Sequence, residues 1–328
     1  MSKKISGLTN LGNTCFLNSC VQVMAHTQEL NNFFDNLKQI KSIDDAIVVT
    51  EYNDLRKLMI DNDVISPKRF IHFVQKVSKQ KGNTIFSGYQ QNDVMEFFTF
   101  LLDCIHNSVC RGIKVDITGV PKTNLDSLAM ICYNHIKQTY EKEYSEITDI
   151  FFGIYVSQVK TPKGGKNKIS IQKPEYFNIL DLPINSDTQN IYDCFDLYTS
   201  VEEITDYIND KTGKTELVHK NMTFWSFPKI LAICLKRFDN DMKKKGTVIE
   251  CPECIDLSKY VIGYSSKSYI YELYATCNHT GNVHGGHYTC LIKKNGVWYN
   301  INDESVEIYR GKIISSMTYC LFYRKKNN

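Results

Sequence analysis

Hydrophobic patterning changes character near residue 150. Before it, apolar residues recur on a helical period. In NDVMEFFTFLLDCIH, which begins at Asn92, the residues Val94, Phe97, Phe98, Leu101 and Ile105 stand at i, i+3, i+4, i+7 and i+11, a continuous stripe that predicts a helix buried along one side. A shorter stripe follows Cys15, with Leu17, Cys20, Val21 and Met24 at i, i+3, i+4 and i+7, so a helix beginning near residue 15 buries that face. Stretches near 43 to 60 and 124 to 147 are charged, intermittently apolar and poor in Gly and Pro, which suits surface helices. After residue 150 the pattern becomes short runs rich in Tyr, Phe, Ile and Val: FFGIYVSQV, EYFNILDL, ILAICL, YELYATC, HYTCLIK, VWYNI and YCLFYR, broken by Gly, Asn, Asp and Pro. These predict a mostly antiparallel sheet. The tracts KTPKGGKNK (160–168) and NDKTGKTE (209–216) are polar, contain glycine and offer nothing to bury; they read as hairpin tips. The chain is therefore α+β, helices first and sheet second.

Composition narrows the setting. A chain of 328 residues buries enough apolar surface to fold without crosslinks. Its twelve cysteines are scattered, and MSKKISGLTN has no apolar segment of the kind that directs secretion; free thiols in a reducing, intracellular compartment are expected. The longest apolar run, ILAICL, falls far short of the roughly 20 residues that span a membrane. The net charge is only +3, with the lysines dispersed, which argues against a nucleic-acid partner.

Chemistry concentrates in two stretches. NLGNTCFLNS places Cys15 after the turn formers Gly12 and Asn13, with Thr14 as a cap. The open N–H groups and dipole of a helix start lower a thiol pKa, so Cys15 fits an activated nucleophile; on this stretch alone, a small packed hydrophobe is the better reading. The second stretch is NHTGNVHGGHYTCLIKKNGVWYNINDESV, residues 278–306. Asn295-Gly296 between two alternating runs signals a type I′ hairpin, which pairs Lys294 with Val297. Continued outward, this register sets Asn302 diagonal to His287, about 7–8 Å away and within side-chain reach; it sets Glu304 opposite His287 and turns Asp303 to the other face. The turn-like run NDES is the alternative point where the ladder ends, which favours Asn302 over Glu304. An asparagine carbonyl accepting from one imidazole N–H fixes the tautomer that takes a thiol proton at the other nitrogen. Gly285 and Gly286 leave room beside the histidine for a substrate backbone. An ordinary strand histidine explains the same segment.

Metal binding is the rival chemistry. His279, His284 and His287 lie within nine residues, but no acid or cysteine is spaced with them as a structural zinc site requires. The CxxC at Cys251 and Cys254 has no second CxxC and is half of a zinc site at most.

Taken in order, GLTNLGNTCFLNSCVQ, GYQQNDVMEFFTFLLDCIH, LKRF and HGGHYTCLIK...VWYNINDESV resemble the cysteine box, QQD box, palm-strand motif and histidine box of ubiquitin-specific proteases; FNILDLPI and ECPECIDLSKY also resemble family segments. The resemblance runs from residue 7 to about 323. It implies a papain-like cysteine protease fold shaped as a hand: one catalytic domain over 1–328, with a helical thumb to about 150, β fingers over 151–225 and a β palm over 226–328. It further implies Cys15 as nucleophile, His287 as general base, Asn302 as third member of the triad, Asn10 as oxyanion donor and Asp303 as an assisting residue. Gln91, Asp93, Glu96, Tyr288 and Gly286 become contacts for the extended C-terminal tail of ubiquitin, although Asp93 and Glu96 are also explained as the capping start of the long helix. The implied substrates are ubiquitinated proteins or polyubiquitin chains, cut by a monomer without a cofactor or membrane anchor. A related modifier as substrate, or a ubiquitin-binding pseudoenzyme, are the alternatives. One departure stands out. Many members carry two CxxC pairs in the fingers, whereas KTPKGGKNK and DYINDKTGKTELVHK contain no cysteine, so fingers without zinc are expected.

Overall fold

The computed structural model describes residues 5–82, 85–161, 168–209, 213–239, 241–264, 269–282 and 285–326. Its first half carries α1 (Cys15–Ala25), α2 (Gln28–Asp35), α3 (Asp45–Leu58), α4 (Lys68–Gln80), α5 (Val94–Val109), α6 (Asn124–Glu143) and α7 (Glu146–Phe151), with a short parallel pair, β1 (Gly7–Leu8) and β2 (Val64–Ile65). The long stripe from Asn92 becomes α5, which buries Val94, Phe97, Phe98, Leu101 and Ile105. Asp93 starts it as N-cap, its side chain accepting from Met95 N and Glu96 N. Thr123 and Asp126 form a reciprocal capping box on α6.

Two sheets follow. Strands β3 (Gly153–Thr161), β4 (Lys168–Phe177), β6 (Glu202–Ile208) and β7 (Thr215–Ser226) pair antiparallel in the order β4-β3-β7-β6. The larger sheet runs β13-β12-β11-β10-β14-β8-β5, where β5 is Ile179–Leu182, β8 Ile230–Leu235, β10 Ile270–Asn282, β11 Gly285–Lys294, β12 Val297–Asn302, β13 Ser305–Ile308 and β14 Thr318–Lys325; β9 (Cys254–Asp256) pairs with β10. The stretch 151–225 is thus shared: β5 leaves the four-stranded sheet and lies parallel to β8 in the larger one. Between β5 and β6, in the half of the chain expected to be mostly sheet, lies α8 (Ile191–Thr199), started by a box of Asn190 and Asp193. Residues 162–167 and 210–212, within the two expected hairpin tips, lie outside the described residues.

Packing explains why ILAICL is an unbroken apolar run. In β8, Ile230, Ala232 and Cys234 join the core under the helices; Leu231, Ile233 and Leu235 join a second core with α8 residues Ile191, Cys194 and Phe195. A central strand covered on both faces has no polar face to alternate with. Arg237, from LKRF, is fully buried: Nε donates to Thr318 O, and a terminal nitrogen donates to Thr247 O at 2.7 Å and Lys245 O at 3.1 Å. This fastens the segment after β8 to the start of β14. No helix among the described residues is long and apolar enough to cross a membrane.

The β11–β12 hairpin follows the register read from Asn295-Gly296, pairing Lys294 with Val297 and Cys290 with Ile301. Asn295 and Gly296 take φ of 52° and 78°, as a type I′ turn requires. The expected continuation to Glu304 does not occur. The chain reverses at Asp303 and Glu304, and Asn302 pairs with Ser305. Asp303 takes φ of 49°, and its carbonyl accepts from Leu8 N at 2.9 Å. Here Gly7 is needed for close approach, because a Cβ would overlap the Glu304 carbonyl.

Candidate active site

Cys15 is the first residue of α1, and the segment before it is a turn, with φ of 103° at Gly12 and 54° at Asn13. Asn10 braces this turn: its Oδ1 accepts from Gly12 N at 3.1 Å, Thr14 N at 3.2 Å and Thr14 Oγ1 at 3.2 Å. Thr14 occupies the N-cap position, yet its side chain caps nothing; Oγ1 accepts from Leu11 N instead, at 3.0 Å. The first-turn N–H groups are therefore left facing the thiol without a side-chain cap. Contrary to expectation, the Cys15 thiol is raised above its ordinary value. It is only 3% exposed, and burial outweighs the pull of backbone groups of Tyr288, Phe16 and Cys15, while the Asp303 carboxylate raises it further. The Tyr288 contact also sets the Cys15 thiol beside the backbone that follows His287.

His287 stands on β11, with Nε2 2.6 Å from Asn302 Oδ1. Because that oxygen only accepts, Nε2 carries the hydrogen and Nδ1 keeps a lone pair; the tautomer is assigned from this bond. Asp303 does not face away. Its positive φ swings the carboxylate back, with Oδ2 at 4.0 Å from His287 Nε2. The same oxygen accepts from Asn10 Nδ2 at 2.9 Å, and Oδ1 accepts from Asn18 Nδ2 at 2.7 Å. Asp303 takes one hydrogen of the Asn10 amide and leaves the second.

Gln91 bridges the two walls: Oε1 accepts from Gly286 N and Nε2 donates to Asn13 Oδ1 at 3.4 Å. Gly286 has a reason other than substrate room, since a Cβ there would overlap the His279 ring and the Thr280 carbonyl. Both oxygens of Asp93 have protein partners. Oδ1 caps α5, while Oδ2 accepts from Tyr319 Oη at 2.7 Å and Tyr288 Oη at 3.3 Å. Glu96 follows one turn on, with its carboxyl raised by partial desolvation at the protein surface and by Asp93. Among the expected site residues, Cys15, Asn10, His287, Asn302 and Asp303 form one constellation; Gln91, Gly286, Tyr288 and Asp93 line its flank, with Glu96 furthest out. Asn18 and Tyr319 were not anticipated. A signal for Asn18 was available: a polar residue between Leu17 and Val21 on a buried helix, three residues after the cysteine.

Among the described residues no group of three or more His, Cys, Asp or Glu side chains is placed to hold a metal ion. His279 is 4% exposed and packs against Tyr288 and Tyr319, with ring centroids at 4.8 and 5.9 Å; His284 lies outside the described residues. Cys251 is buried with its thiol raised to about 12, and Cys254 is exposed on β9.

Comparison with known proteins identifies the family. The sequence profile described as ubiquitin carboxyl-terminal hydrolase matches residues 6–323. Human ubiquitin carboxyl-terminal hydrolase 2 is 31% identical over 97% of this chain and 55% of its own length; bovine ubiquitin carboxyl-terminal hydrolase 21 is 30% identical over 97% of this chain and 61% of its own. The chain thus spans little more than half the length of these relatives. Among solved structures, the SAGA Ubp8 DUB module bound to ubiquitin aldehyde superposes with a TM-score of 0.74 at 23% identity, covering 100% of this chain and 71% of that one. That likeness shows a shared fold.

Proposed function

Because this chain belongs to the ubiquitin carboxyl-terminal hydrolase family, we propose that it is a cysteine isopeptidase hydrolysing the bond that follows the C-terminal glycine of ubiquitin. The observation that carries this reading is the 2.6 Å contact of His287 Nε2 with Asn302 Oδ1, on the strand whose Tyr288 backbone meets the Cys15 thiol. With the thiol raised, Cys15 needs a base at neutral pH. His287 Nδ1 takes its proton as sulfur attacks the glycine carbonyl. The Cys15 N–H and the second Asn10 amide hydrogen are the donors for the oxyanion, and such a donor contributes about 3 kcal/mol. The imidazolium returns the proton to the departing lysine amine, and His287 then deprotonates the water that cleaves the thioester. Gln91 and the Gly286 N–H flank the path of the extended tail, so the tail displaces their mutual hydrogen bond as it enters.

The test is hydrolysis of ubiquitin bearing a C-terminal fluorogenic amide. Turnover by the wild type, with a loss of about 10³-fold or more in Cys15→Ala and His287→Ala, is expected. Ubiquitin binding by the wild type without turnover would instead mark a binding module, and faster cleavage of a related modifier would reassign the substrate.

A further inference from the structure

Asn18 is 2% exposed on α1, three residues after Cys15. Three acceptors converge on its Nδ2: Asp303 Oδ1 at 2.7 Å, Leu8 O at 3.3 Å and Thr9 O at 3.4 Å. They fix the amide orientation, since a flipped amide would set its own oxygen against all three. The other end is buried, and Asn18 Oδ1 has no protein partner among the described residues. Packing does not explain this. A buried, half-satisfied amide is disfavoured against an apolar side chain of the same shape, so the Nδ2 hydrogen bond is the part that matters.

Asp303 in turn is held at both oxygens by amides from either side of the nucleophile, Asn10 before Cys15 and Asn18 after it. Its Oδ2 stops at 4.0 Å from His287 Nε2, whereas Asn302 Oδ1 is at 2.6 Å. A carboxylate is the stronger acceptor for an imidazole N–H, so free rotation would let Asp303 displace Asn302.

We propose that Asn18 is a positioning residue which clamps the Asp303 carboxylate onto Asn10 and off His287, so that the neutral Asn302 orients the base and Asn10 stays aligned as a donor. This rests on the isopeptidase reading for its kinetic consequence but not for its geometry. Asn18→Ala and Asn18→Leu, the second nearly isosteric, are compared in the wild-type and Asp303→Ala backgrounds, and thermal unfolding verifies that each variant is folded. In the wild-type background both lower kcat about tenfold, the scale of coupling within one hydrogen-bond network, with KM unchanged. Once Asp303 is alanine, the same changes lower kcat by less than about twofold.

The second arm needs no substrate. The His287 Nε2–H proton resonance moves downfield in both Asn18 variants, as its acceptor changes from amide to carboxylate, and returns when Asp303→Ala is added. An effect on kcat that persists undiminished in the Asp303→Ala background, or a resonance unmoved in folded Asn18 variants, overturns the proposal. Asn18 variants that show the expected resonance changes, alongside a wild type that turns over no ubiquitin substrate, overturn the isopeptidase reading alone.

Discussion

His287 has two acceptors within reach, and their ranking is the main residue-scale question. Asn302 Oδ1 holds Nε2 at 2.6 Å while Asp303 waits at 4.0 Å, so Asn302→Ala is expected to lower kcat/KM about tenfold, with Asp303 a partial substitute. An unchanged rate in Asn302→Ala, with Asp303→Ala inactive, would reverse the ranking. The buried Cys15 thiol is raised, so its alkylation by iodoacetamide without substrate should climb through alkaline pH; a plateau already reached below pH 7 would indicate a standing thiolate. Behind the site, His279 is lowered to about 4 by burial, with the Lys244 ammonium adding to the shift. The folded value lies below the unfolded one near 6.5, so protons favour the unfolded chain. The associated stability is fully present above about pH 6.5 and lost as pH falls toward 4, by about 3 kcal/mol. Denaturant unfolding at pH 7 and pH 4.5 measures it, and His279→Gln should flatten the dependence.

Elements meet at Asp93, where the start of α5 is joined to β11 and β14 through Tyr288 and Tyr319. Asp93→Ala removes a cap worth about 1 kcal/mol and two hydroxyl bonds to a charged acceptor, so a loss of about 2–4 kcal/mol is expected in denaturant unfolding. A loss of only about 1 kcal/mol would reduce Asp93 to a plain cap. The cap was legible in the sequence because its partners lie two and three residues away. The tyrosines were not, since they lie 195 and 226 residues away. The same contrast separates the two turns of the β11–β13 region. Asn295-Gly296 encodes its own conformation. Asp303 takes a positive φ with no glycine, in a turn where Leu8 N, a residue from the other end of the chain, binds its carbonyl. The expectation that Asp303 faced away failed for that reason. Helix α8 was hidden differently: Ile191, Cys194 and Phe195 have helical spacing and are all buried, but IYDCFDLYT is rich in residues that also favour strands.

At the scale of the molecule, α1 packs on the large sheet at β10 and β11, and the proposed nucleophile and base come from opposite sides of that contact, α1 and β11. This division was legible because the two halves of the chain keep different hydrophobic periods. The site was legible to the extent that its chemistry is local, in NLGNTCFLNS and in the hairpin after His287; the clamp on Asp303 was not, because it forms only when those segments meet. The four-stranded sheet is held by paired β3, β4, β6 and β7. Metal analysis of the purified chain should give zinc well below one per molecule, with the unfolding midpoint unmoved by a chelator; one tightly bound zinc per chain would contradict this. The proposed function stands or falls with Cys15 as the nucleophile toward the ubiquitin C-terminus. The most direct measurement is intact-protein and peptide mass spectrometry after incubation with ubiquitin carrying a C-terminal electrophile. A single adduct mapped to Cys15 and absent in Cys15→Ala is predicted, and an adduct that persists in Cys15→Ala, or none with a wild type that binds ubiquitin, would contradict it.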